Sequence, residues 1–147
     1  MDRQAAEAFI EGYRATFETM DVSAITDRFV FPCHVAGQAG EVSVASVPDV
    51  AVWTASIERI VGAYKLIGIA SAAVESLRVV EVTPGIAHAV VRWNLRDADG
   101  GTVYAFNASY TLVDTAGGPR IAAIAHDEGP KLQMAMAKAK ANPGRPA

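Results

Sequence analysis

Cysteine occurs once, as Cys33, so the chain has no internal disulfide and no second thiol at metal-ligand spacing. A reducing cytoplasm is the compartment that this usage suits, and neither a metal nor another cofactor is expected. Histidine is also scarce: His34, His88 and His126 are the full set, which leaves few side chains that titrate near neutrality. Positive charge is in short supply, with 13 Lys and Arg against 16 Asp and Glu. The resulting formal charge of −3 gives no chain-wide basic field for nucleic acid or anionic lipid. The uncharged run from Leu66 to Val74 is about half of the roughly 20 residues that span a bilayer. Glu7 and Glu11 interrupt the first apolar stretch, so no signal peptide is read there. Phosphate loops are missing too, because Gly100-Gly101 and Gly117-Gly118 have turn contexts without a following helix. Asp97-Ala98-Asp99-Gly100 begins like a calcium loop but has Ala108 where the twelfth-position Glu would stand, so it is read as a hairpin loop. What the chain has in quantity is apolar surface: 51% of its 147 residues are hydrophobic and 20% charged, enough for one core that folds alone without membrane or nucleic-acid partners.

Apolar residues Ala6, Phe9, Ile10, Tyr13, Phe17 and Met20 recur every three or four positions between Asp2 and Met20, which predicts an amphipathic helix. A second, short helix is capped by Asp21 or Ser23, carries Val22, Ile25 and Phe29, and stops before Pro32. Phe31–Val35 and Glu41–Ser46 read as a hairpin about a turn at 36–40. Pro48 and Asp49 open a third helix with Val52, Trp53, Ile57, Ile60, Val61 and Tyr64 on one side and Gly62 weakening its end. Beyond Ser71 the period shifts from about 3.6 to about 2, predicting four strands at 73–82, 86–96, 102–113 and 120–128, an antiparallel meander. Helices gathered in the first half and strands in the second make the fold class α+β. One domain is expected over residues 1–128, followed by a tail that is helical over Lys131–Ala141 and frays in its final residues.

This order of elements, together with Phe29-Val30-Phe31-Pro32-Cys33, Tyr64, Tyr110-x-Leu112 and Ile121-x-x-Ile124-x-His126-Asp127, resembles the nuclear transport factor 2-like (NTF2-like) superfamily and its SnoaL-like, ketosteroid-isomerase-like branch. The resemblance covers about residues 3 to 128. It implies a cone of cystatin-like type, with three N-terminal helices wrapped by a curved, mostly antiparallel mixed sheet and an apolar pocket at the open end. It also implies a place to look for chemistry. Proton transfer next to a steroid ketone needs a carboxylate base and a Tyr plus protonated-acid pair for the enolate oxygen. Tyr13, eight residues before Asp21, stands where that tyrosine would. The first strand offers Cys33 and His34 in place of the base, and the position for the second acid falls near Ser109, so ketosteroid isomerisation is not expected.

His126 and His34 are then the candidate general bases, with Tyr13 the candidate donor. The resemblance implies a last strand that turns Ile124, His126 and Glu128 inward, brings Ile121 in through a bend and turns Asp127 away. His126 and Asp127 therefore do not form a dyad, since adjacent strand residues face opposite ways. His88, in a strand with Arg92, Asn94 and Arg96 at period two, belongs to an outer face, and Cys33 is a buried small hydrophobe. The expected pocket is lined by Tyr13, Phe17, Trp53, Ile57, Trp93, Tyr110, Ile124 and His126, a mixture suited to a small apolar, aromatic or polyketide-like ligand. Two other readings are an isomerase, cyclase or hydrolase working through His and Tyr, and a non-catalytic accessory module. Apolar residues at both parities of the third meander strand, Tyr104, Phe106, Tyr110 and Leu112 against Val103, Ala105 and Val113, call for a covered outer face and hence a homodimer.

Overall fold

The computed structural model describes residues 1–142. Helix α1 spans Arg3–Glu18, with the Asp2 side chain accepting the Ala5 N–H at 2.8 Å as its N-cap. Its buried face is Ala6, Phe9, Ile10 and Tyr13. Helix α2, Val22–Thr26, is capped by Asp21 in the same way. Strands β1, Phe29–Ala39, and β2, Glu41–Val47, follow. Helix α3, Val50–Ile67, is capped by Asp49 and buries Trp53, Ile57, Val61 and Tyr64. Strands β3 (Ser71–Thr83), β4 (Ile86–Arg96), β5 (Thr102–Thr115) and β6 (Gly118–His126) then form the meander, and α4, Glu128–Ala141, closes the described chain. No described helix is long and apolar enough to cross a membrane.

One six-stranded sheet in the order β2-β1-β6-β5-β4-β3 carries the helices on its inner face. All pairings are antiparallel except β1 with β6, so the sheet is mixed and the fold is α+β as expected. Cross-strand partners share a face, and the register thus defines rows. Val35, Ile124, Tyr110, Ala89 and Val79 form one inner row, and His126, Ala108 and Val91 the next. Several inner positions are small: Ala87, Ala89 and Ala108 are all buried. Of these, Ala108 borders space between sheet and helices that large side chains from α1 and α3 only partly fill.

The outer face has rows of its own. Val44, Ala36, Ala125, Ser109, Val90 and Arg78 are successive partners across all six strands, with Ser46, His34, Ala123, Thr111, His88 and Val80 in the adjacent row.

Several expected boundaries move. Phe29 is not part of α2: it opens β1, buried and paired with Ile121, because its ladder partner lies some ninety residues away where a local pattern does not see it. The expected turn at 36–40 shrinks to Gly40 at φ +92°, since seven antiparallel pairs from Cys33–Val47 to Ala39–Glu41 extend the hairpin almost to its tip. Helix α3 runs through Gly62 and ends at Gly68, in the left-handed region at φ +78°. The last strand stops at His126, and Glu128 starts α4, which is three residues longer at its start than the expected Lys131–Ala141 and lies against α3, β1 and β5. The expected fraying of the final residues concerns residues 143–147, which lie outside the described part.

Candidate functional site

A cavity of about 100 Å³ lies between α1, α3 and the inner face of the sheet. Every residue of the expected pocket reaches it: Tyr13 and Phe17 from α1, Trp53 and Ile57 from α3, Trp93 from β4, Tyr110 from β5, and Ile124 and His126 from β6. Tyr13 is the hub of this wall. Its ring centroid lies within 6.5 Å of those of Phe9, Phe17, Phe29, Trp93 and Tyr110, mostly edge to face. Such pairs fix a ring more firmly than area burial alone.

His34 does not join them. It is exposed on the outer face, because the pleat sends Cys33 and Val35 inward and the residue between them outward. His88 is also outward and contacts the Thr111 hydroxyl at 3.1 Å. Cys33 is fully buried, and that burial pushes its thiol up to about 11, which keeps it protonated and inert. Ser109, at the place of a second acid, faces outward in the row with Val90 and Ala125. Ile121 is inward through a register shift opposite Thr111 and Leu112, the bend that reconciles its odd number with Ile124 and His126. Asp97 accepts the N–H groups of Asp99 and Gly101, both at 3.0 Å, as a hairpin loop does. Among the described residues no group of three or more His, Cys, Asp or Glu is placed to hold a metal ion.

His126 occupies a position that lacks side-chain competition. Its ring packs beside Gly37 of β1, where an added Cβ would stand 3.5 Å from Cε1 and Nε2, an ordinary van der Waals contact. Its Nδ1 accepts the backbone N–H of Glu128 at 3.1 Å, which places the hydrogen of the neutral ring on Nε2.

Glu128 is the wall residue that sequence reasoning turned inward without assigning it a role. One carboxylate oxygen, Oε2, accepts from two phenols: Tyr64 of α3 and, at 2.7 Å, Tyr104 of β5. Burial raises the Glu128 pKa, against the lowering influence of the Tyr64 and Tyr104 hydrogen bonds and of His126. Burial likewise raises Tyr64 and Tyr104, with the nearby Glu128 charge adding to the effect, so both phenols remain donors. Tyr13 and Tyr110 are held protonated chiefly by burial as well. Tyr110 accepts the Trp93 indole N–H at 2.9 Å, which leaves the phenol's own hydrogen free. Trp53 Nε1 is buried with no hydrogen-bond partner, a state that costs about 1–3 kcal/mol unless something else meets it. The second carboxylate on the wall, Glu18, is neutralised by Arg14 at 2.6 Å and also accepts the Ala72 N–H at 3.0 Å. The signal for Glu128 was its parity with Ile124 and His126. Its phenol partners come from α3 and β5, and nothing local connects them.

A raised carboxyl pKa has a definite sign in stability. Relative to an ordinary Glu, the neutral form is favoured in the folded protein. That contribution is complete below the unfolded-state value and is lost as pH rises through the folded one. Glu128→Gln removes the titration, so the variant gains stability relative to wild type as pH rises from about 4 towards 8. Urea unfolding at several pH values measures the difference, and a gap that is flat or narrows with pH rules out the assignment.

The described geometry agrees with known folds. Residues 3–129 match the family model described as NTF2-like protein (DUF6841). An NTF2-like protein with a cystatin-like fold from Novosphingobium aromaticivorans is 18% identical, with TM-score 0.65 over 86% of this chain and 80% of that one. An NTF2-like protein of unknown function from Shewanella oneidensis is 10% identical, with TM-score 0.66 over 86% and 99%. A ketosteroid isomerase-like protein from Erwinia carotovora is 16% identical, with TM-score 0.59 over 86% and 97%. At these identities the likeness is one of fold. No curated protein matches the sequence. The family match spans most of the chain and the structure has the same cone, so the protein belongs to the NTF2-like family.

Proposed function

We propose that the protein binds a small apolar or aromatic molecule in the cavity between α1, α3 and the sheet. The observation that supports this reading most directly is the wall itself, in which seven aromatic rings, Tyr13, Phe17, Trp53, Tyr64, Trp93, Phe106 and Tyr110, surround a space with few polar groups. Apolar lining with a few fixed polar groups is the usual composition of a small-molecule site. The size narrows the ligand. Cavities of about 150 Å³ take up benzene, so a space of about 100 Å³ fits a molecule of one ring better than a multi-ring polyketide. Both tryptophans of the chain line the cavity and report on its occupancy. Titration with 4-methylanisole should give a saturable change in tryptophan fluorescence. Ala108→Leu, which fills the inner face beside His126, should weaken it at least tenfold. An unsaturable response, or one that Ala108→Leu leaves unchanged, speaks against the cavity as the site.

A second reading, proton transfer within the same cavity, is favoured by Glu128. The carboxylate expected but not found on the first strand is supplied from the start of α4, with Tyr13 and Tyr110 as protonated phenols on the same wall. In this reading Glu128, not His34, is the base. Methyl-deuterated acetophenone should then lose deuterium to water faster with wild type than with Glu128→Gln, by at least tenfold, as followed by NMR. Equal rates would remove catalysis and leave binding.

We further propose that the outer sheet face pairs with a second copy of the chain. Val44 and Val80 are exposed there at 72% and 42%, in rows where small residues, Ala36, Ala125, Ser109 and Ala123, stand among His34, Thr111, His88 and Arg78. Light scattering at micromolar concentration should give twice the chain mass, and Ala125→Arg, in the middle of the face, should reduce it to the monomer value. A monomeric wild type excludes this assembly.

A further inference from the structure

Resting on the cavity-binding reading, we infer that the ligand carries a hydrogen-bond donor, a hydroxyl or amine, directed at Oε1 of Glu128, and that it carries no negative charge. The two oxygens of this carboxylate differ. Oε2 is committed to Tyr64 of α3 and Tyr104 of β5, and these bonds hold the group in place. Oε1 has no hydrogen-bond partner among the described residues, although Glu128 lines the cavity. In its ionised form the group is an acceptor only, with about four lone-pair directions over its two oxygens, and the unused ones at Oε1 then take a donor.

Among the described residues no side chain hydrogen-bonds to Oε1. The other unpaired hydrogens on the wall, those of the Tyr13 and Tyr110 hydroxyls and the Trp53 indole N–H, are there to be donated, and the phenol oxygens are weaker acceptors than a carboxylate oxygen. No Lys or Arg forms a salt bridge with Glu128 among the described residues, since Arg14, the cation on this wall, is engaged by Glu11 and Glu18. An anionic ligand would therefore meet the Glu128 carboxylate with no Lys or Arg paired to it, His126 being the wall residue whose charge offsets it, and like charges among apolar side chains repel more strongly than in water. A neutral or cationic donor meets a charge-assisted hydrogen bond of the stronger kind. Ring size, a donor at one point and the exclusion of anions together define the class: a one-ring phenol, alcohol or amine.

Three probes on one 4-methylphenyl frame separate the elements of this inference at pH 7.5: p-cresol, a neutral donor; 4-methylanisole, with the donor capped; and 4-methylbenzoate, an anion. Tryptophan fluorescence titration of wild type should give p-cresol binding about tenfold tighter than 4-methylanisole, and 4-methylbenzoate at least tenfold weaker than 4-methylanisole. Glu128→Gln, whose carbonyl can still accept from the two phenols while its amide turns a donor to the cavity, should cut the cresol preference below twofold and lift the benzoate penalty. The wild-type series decides without the variant, should the latter not fold. Equal binding of cresol and methylanisole, or tighter methylanisole, overturns the inference while leaving the cavity reading intact. Tight benzoate binding overturns the exclusion of anions. Failure of all three to bind overturns the cavity reading and this inference with it.

Discussion

The parallel pairing of β1 with β6 holds the architecture together. It is the one contact in the sheet between the helical half of the chain and the meander, bridging Phe29 to Ile121 and His34, Val35 and Ala36 to Ala123, Ile124 and Ala125. Closing so long a loop is entropically costly, and the cost is met by burial: Phe29, Cys33 and Ile121 are at 5%, 0% and 0% exposure. Once it forms, the sheet becomes continuous over six strands, α1 and α3 have a single face to cover, and Gly37 packs beside the His126 ring.

The cavity follows from a mismatch of volumes across that interface. At the cavity the sheet presents the small Ala108, while the helices present Tyr13, Phe17, Trp53 and Tyr64. Rings are rigid and cannot collapse into every gap, so close packing at the hub around Tyr13 coexists with unfilled space beside it. The same rigidity preorganises the wall. Donors and the Glu128 carboxylate are held in place by packing and by one another, and a ligand would meet them without reordering.

Polarity is distributed unevenly between the two faces of the sheet. On the outer side Glu75, Arg92, Asn94 and Asn107 bond to each other across β3, β4 and β5, and Asp127 bonds to Asn107, forming a polar belt beside the small-residue rows. On the inner side the carboxylates are Glu18, neutralised by Arg14, and Glu128, held by phenols. A phenol bond stabilises a carboxylate without cancelling its charge, and this is the physical difference that makes Glu128 the chemically open group of the cavity.

Much of this was legible in the residues themselves. The three-and-four spacing from Ala6 to Phe17 and the spacing from Trp53 to Tyr64 fix which helix sides are buried, and the alternation through β4 and β5 fixes which side chains share a face, because helix and strand periodicities are local properties of the backbone. The inward set Tyr13, Phe17, Trp53, Ile57, Trp93, Tyr110, Ile124 and His126 followed from those two periods and a family resemblance. What only tertiary structure decided is who meets whom. His34 turned outward because β1 begins at Phe29 and pairs in parallel with a distant strand, and Glu128 became the centre of the wall because Tyr64 and Tyr104, 64 and 24 residues away in sequence, converge on one of its oxygens. Periodicity specifies a direction from the chain axis, whereas a hydrogen bond between separate elements depends on the relative placement of those elements, which is settled by packing of the whole core.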